Sequence, residues 1–87
     1  MNESLIEYPC PFPIKIMGRS GTPRLVQSVV GIVLEHDPDF DPASVEMRAS
    51  REGNYVSLTC TVKATSRQQL DSLYQALCDH PDVVMVL

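Results

Sequence analysis

From Tyr55 to Ala64 the chain alternates without a break. Val56, Leu58, Cys60, Val62 and Ala64 fall on one side, and Tyr55, Ser57, Thr59, Thr61 and Lys63 on the other. Successive side chains of an extended backbone point to opposite faces, so strict alternation of this length specifies a strand with one apolar and one polar face. Such a strand needs partners at its edges and a layer over its apolar side, while its polar side stays open.

The strand partners are legible. Phe12, Ile14 and Ile16 alternate with Pro13, Lys15 and Met17. Pro9, Pro11 and Pro13 hold the entry to this segment extended and remove three amide donors, so it can join a sheet only at an edge or at a strand start. Val45, Met47 and Ala49 alternate with Glu46, Arg48 and Ser50. The short turn Arg51-Glu52-Gly53-Asn54, with a glycine for positive φ, makes this segment and the Tyr55 strand an antiparallel hairpin. Val83-Val84-Met85-Val86-Leu87 reads as a final strand.

Two stretches carry the helical period instead. Val26, Val29, Val30 and Val33, widened by Leu25 and Ile32, form one stripe, with Thr22 placed to cap it and Pro23 in its first turn. Gly31 costs such a helix about 1 kcal/mol relative to alanine, which a close approach to the sheet or to the other helix would explain. His36-Asp37-Pro38-Asp39-Phe40-Asp41-Pro42 then forms a loop. Leu70, Leu73, Tyr74 and Leu77 form the second stripe, opened by a Thr65…Gln68 capping box and ended by His80-Pro81-Asp82. The order strand, helix, strand, strand, helix, strand predicts an α+β fold of ferredoxin-like, split β-α-β type: a four-stranded antiparallel sheet with two helices on one face. Residues 1–10 read as an N-terminal arm and 11–87 as a single domain, since 87 residues leave no room for a second.

Seven Lys and Arg residues against eleven Asp and Glu give a formal net charge of −4. That balance argues against a nucleic-acid module working through bulk positive charge. The first seven residues hold Glu3 and Glu7, no basic residue and no apolar run, unlike a signal peptide. No apolar stretch approaches the roughly 18 residues needed to cross a bilayer. Cys10, Cys60 and Cys78 are odd in number and have no C-x-x-C spacing, which reads as reduced thiols in a cytoplasmic protein.

The opening strand and the helix stripes also carry a resemblance. Pro9-Cys10-Pro11-Phe12-Pro13-Ile14-Lys15-Ile16-Met17-Gly18 resembles the opening of the YbeD-like family of small bacterial proteins, and so do Gly53-Asn54-Tyr55-Val56-Ser57, Leu73-Tyr74 and the ending Val84-Met85-Val86-Leu87. The resemblance implies a ferredoxin-like domain similar to the ACT regulatory domains of amino-acid enzymes. It also implies a family of uncharacterised biochemical role, linked to lipoate metabolism through gene neighbourhood. Pro11 and Pro13 together make the first strand stiffer than the resemblance implies. No catalytic motif comes with it.

The candidate sites are few. Gly18-Arg19-Ser20-Gly21-Thr22 joins a strand to a helix N-terminus, where free amides and Arg19 would suit a small anionic metabolite; ACT-like domains often hold amino acids there, at a dimer interface. The bland alternative is a turn, and the loop matches neither the P-loop nor the Rossmann fingerprint. Asp37, Asp39 and Asp41 begin like a calcium loop, but Pro42 stands where that loop needs glycine and Arg48 where it needs glutamate, so a solvated acidic loop is expected and no metal. Cys60 belongs to the buried face of its strand, Cys78 is partly exposed, and Cys10 is the most exposed thiol; no basic residue adjoins to activate a nucleophile. His36 suits the end of the first helix and His80 a surface or capping position, neither with a partner for acid–base work.

The open sheet face collects Lys15, Met17, Glu46, Arg48, Tyr55, Ser57, Thr59, Thr61 and Lys63. Tyr55 is its one stacking aromatic, too few for an RNA-recognition sheet. A polar protein interface around Lys15, Tyr55 and Lys63 is the functional reading of this face. The expectation is a non-enzymatic regulatory or interaction domain with no cofactor. It would pair with a copy of itself and sense a small anionic metabolite, or, in the alternative, serve as a protein-binding adaptor without a small-molecule ligand.

Overall fold

A computed structural model describes residues 7–87. The Tyr55–Ala64 alternation forms strand β3, and it pairs along its full length with β1, Cys10–Arg19, from Cys10 opposite Ala64 to Arg19 opposite Tyr55. β2, Glu46–Ala49, lies on the other side of β3, and β4, Val83–Val86, lies outside β1. The sheet order is β2-β3-β1-β4, with every neighbouring pair antiparallel. Helix α1, Leu25–His36, follows β1, and α2, Arg67–Asp79, follows β3. The expected ferredoxin-like plan is therefore the observed one. β1 starts at Cys10, one residue inside the segment expected to be an arm, and most of the remaining arm, residues 1–6, lies outside the described residues.

The prolines of β1 are placed by parity. Lys15 exchanges both backbone bonds with Leu87, at 3.2 and 2.8 Å, so the odd-numbered residues of β1 turn their amides toward β4. Pro11 and Pro13 share that parity, and the pairing with β4 stops at Lys15. Their missing donors face a side of the strand that has no partner among the described residues, where no ladder is broken and pairing with a foreign strand is disfavoured. β1 is an inner strand over its second half and an edge strand over its first.

One face of the sheet is covered. Ile14, Ile16, Leu58, Cys60 and Val62 are buried against Leu25, Val29 and Val33 of α1 and Leu70, Leu73 and Leu77 of α2. The helical layer stops short of β2: Met47 stands opposite Leu58 on the covered face and is still 61% exposed. β4 carries a bulge where its register with β1 shifts between Met17 and Gly18. Val83 and Val86, three residues apart, both pack on the core, which a regular strand forbids. Val84 and Met85 are left exposed.

Three local expectations are corrected. Gly31 lies on the exposed side of α1, with nothing within 4 Å of where a Cβ would stand. The close approach belongs to Gly18, whose Cβ would meet Leu25 Cδ2 at 2.5 Å and the carbonyl oxygen of Asp82 at 2.9 Å. The α1 cap position is Arg24, without a side-chain cap bond; Thr22 supplies only its carbonyl, which accepts from the Leu25 amide at 3.2 Å. The α2 cap is shifted by one residue: the Ser66 hydroxyl accepts from the Gln69 amide at 3.0 Å, and Gln69 Oε1 accepts from the Thr65 amide at 2.7 Å.

Candidate functional site

The segment Gly18 to Thr22 does not converge on a ligand position. Gly18 is a buried packing residue of β1. Arg19, next in the alternation, turns to the opposite, open face. The Ser20 amide donates to the Asn54 carbonyl at 3.0 Å, tying the loop to the β2–β3 turn, and Gly21 supplies a φ of +85°. The loop is built as a turn, and its one cation looks away from the start of α1.

The open face brings other residues together. Lys15 stands opposite Thr59 and Met17 opposite Ser57 on β3, while Glu46 and Arg48 of β2 flank the same two residues from the other side. Two shallow clefts adjoin there. One, of about 240 Å³, is lined by Lys15, Glu46, Met47, Arg48, Ser57 and Thr59. The other, of about 170 Å³, runs from Lys15 and Arg48 to Met17 and Tyr55. Lys15 and Tyr55 of the expected contact surface thus share one cleft. Lys63 does not join them: it lies eight residues from Tyr55 along β3, about 26 Å away, and its ammonium contacts Asp39 Oδ2 at 2.9 Å. Arg48 and Met17 line that cleft instead. The signal for them is the hairpin register, which carries Arg48 opposite Ser57.

A third cleft, of about 430 Å³, opens beside the start of β1 between Cys10, Pro11, Phe40, Val62 and the Asp39–Lys63 pair. Its edge is organised by the three aspartates, each in a different way. Asp37 is buried, at 4% exposure, and accepts from the amides of Asp39 at 3.2 Å and Lys63 at 2.9 Å. Asp39 is held below the ordinary aspartate value by the hydrogen bond and charge of Lys63, and Lys63 is raised in turn by the hydrogen bond and charge of Asp39. Asp41 caps a single 3-10 turn, Pro42–Ser44, accepting from the Ala43 amide at 3.0 Å. The loop is not uniformly solvated, because Asp37 is a structural tie.

The remaining groups with chemical potential are engaged locally. His36 Nδ1 contacts the Ile32 carbonyl at 2.8 Å, and His80 Nδ1 accepts from the Asp82 amide at 3.1 Å. Cys60 is buried, and burial pushes its thiol up to about 11. Cys10 is half-buried and Cys78 is the exposed thiol, the reverse of the expected order. Among the described residues, no group of three or more His, Cys, Asp or Glu is placed to hold a metal ion, and no helix is long and apolar enough to cross a membrane.

Residues 3–87 match the family model described as "Protein of unknown function (DUF493)". The chain belongs to the DUF493 family. A UPF0250 protein of Nitrosomonas europaea is 65% identical over 85 residues, spanning 98% of this DUF493 chain and 97% of the relative. A UPF0250 protein of Bordetella pertussis is 62% identical, spanning 98% and 92%. The expected YbeD-like family is thereby borne out. The solution structure of protein HP0495 from H. pylori superposes with a TM-score of 0.77 at 14% identity, covering 94% of this chain and 85% of that one. At that identity the likeness establishes the shared fold alone.

Proposed function

We propose that this DUF493 chain is a non-enzymatic interaction domain that engages a protein partner through the open face of its sheet. The carrying observation is the pair of adjoining clefts in which Lys15, Arg48, Met17 and Tyr55 meet, on a face that no helix covers among the described residues. Polar strands with a few exposed apolar side chains suit a modest, reversible interface. The local engagement of both histidines and the burial of Cys60 support a reading without chemistry. The test is photo-cross-linking in living cells from a benzophenone amino acid at Tyr55, with the same group at Asp71 on α2 as control. A discrete heavier adduct from Tyr55 and not from Asp71 is expected. No adduct from Tyr55, or equal adducts from both, removes the reading.

A second reading keeps the metabolite sensor, with self-association and a place in lipoate metabolism, as the resemblance implies. The α1 start favours it in one respect, since no side chain caps its first turn and Arg24 stands at the cap position. Calorimetric titration with small carboxylates and phosphates tests it: saturable heat abolished by Arg24→Ala supports it, and no heat at millimolar ligand removes it.

A further inference from the structure

We propose that the partner of the open face is an acidic, extended protein segment in which carboxylate and apolar side chains alternate on one side. This rests on the interaction reading above and adds the chemistry of the partner.

The chain carries a net charge of −4, yet its open face has the opposite sign. Lys15, Arg19 and Arg48 point out of it against Glu46 alone, a local surplus of two positive charges. Lys63, the fourth cation on this face, is held by Asp39. Among the described residues, Lys15, Arg19 and Arg48 have no ion-pair partner. Charge segregated in this way gives the face a field that draws in groups opposite to those the molecule as a whole attracts.

The spacing specifies the shape. Lys15, Met17 and Arg19 follow one another on the outer side of β1, a cation, an apolar side chain and a cation at intervals of about 7 Å. Arg48 and Tyr55 repeat the combination on β2 and β3, across the sheet. An extended segment laid on this face presents its own outward side chains at the same interval, so carboxylate, apolar and carboxylate at alternate positions match the row. The face is about 33 Å long on its ten-residue strands and four strands wide, the scale of a small, transient interface. A nucleic acid fits less well, because among the described residues this face offers it a single stacking ring, Tyr55.

The experiment titrates isotope-labelled protein with a fluorescein-labelled peptide ESLSESLSE, against KSLSKSLSK, SSLSSSLSS and a single-stranded thymidine oligonucleotide. Amide shifts report the site and anisotropy the affinity. The acidic peptide is expected to shift the amides of residues 15–19 and 46–48. Its binding should weaken about tenfold in Lys15→Glu/Arg48→Glu, fall with added salt, and be unchanged in Asp71→Lys on α2. Equal or tighter binding of the neutral or basic peptide at this face overturns the acidic partner while leaving the interface reading in place. Tighter binding of the oligonucleotide, lost in the same double variant, overturns it in favour of a nucleic acid. No shift at these amides up to about 1 mM peptide also overturns it, and the cross-link at Tyr55 then decides the interface reading separately.

Discussion

The carboxylate of Asp37, at the end of α1, accepts the backbone amide of Lys63 in β3 at 2.9 Å across a sequence separation of 26 residues. Its other oxygen accepts the Asp39 amide at 3.2 Å, and the side chain is buried. One residue thus fixes the α1–β2 connection against the sheet. Gln69 reinforces the junction from α2, where Nε2 donates to the carbonyls of His36 at 2.8 Å and Lys63 at 3.1 Å.

Asp37→Ala is expected to lower stability by about 1–3 kcal/mol, because it leaves two amide donors without their acceptor and opens a small void. Asp37→Asn, which keeps the volume and one acceptor oxygen, should lose less. Urea denaturation of the three proteins checks the order. Equal stability of Asp37→Ala and the parent shows that the tie contributes nothing.

Two glycines should respond oppositely to alanine. Gly18→Ala sets a Cβ against the buried Leu25 side chain and the backbone oxygen of Asp82, and only the side chain can move. A loss of about 1–3 kcal/mol is expected. Gly31→Ala meets open space in the middle of α1 and should gain about 0.5–1 kcal/mol. Thermal unfolding of the two single variants should bracket the parent; a shift of both in one direction contradicts the packing described.

The α2 cap separates two adjacent hydroxyls. Ser66→Ala should cost about 1 kcal/mol, since the Ser66 hydroxyl accepts the Gln69 amide. Thr65→Ala should be nearly neutral, because the bond at that position uses the Thr65 backbone amide. A larger effect at Thr65, read by the same denaturation, would restore the capping register that the residue spacing suggests.

Thiol chemistry orders the cysteines. At pH 8 a disulfide reagent should label Cys78 first and Cys10 more slowly. Cys60 should react only on unfolding, because a thiol raised to about 11 leaves roughly one molecule in a thousand ionised and burial bars access. The pH dependence follows from the same shift. The folded state keeps Cys60 neutral above the ordinary thiol value of 9.0, so the unfolded chain ionises first. The contribution of Cys60 to stability is complete below 9 and is lost as pH rises from 9 to about 11. Cys60→Ala should show a shallower loss over that window. Identical slopes for parent and variant would show that Cys60 does not titrate differently in the two states.

Most of the architecture was legible in the sequence, and the reason is local. The alternation of Tyr55–Ala64 and the stripes through Val29 and Leu73 each report which side of their own element is buried, and periodicity needs no knowledge of the partner. The order of elements then leaves few topologies. The open face was legible for the same reason, since Lys15, Met17 and Tyr55 fall on the outward phase of their strands.

Tertiary structure alone decided what depends on distant neighbours. Nothing near Asp37 marks it as buried, because its acceptor role exists only once β3 lies beside the end of α1. Gly18 lies near the end of a strand and Gly31 within a helix, but which of the two is closely approached is decided only by the arrival of Leu25 and Asp82. Lys15 and Tyr55 share a cleft while Lys63 is drawn to Asp39, because register and loop position set which charges meet. The residue order determined the faces; the packing of one element on another decided which side chains on those faces meet.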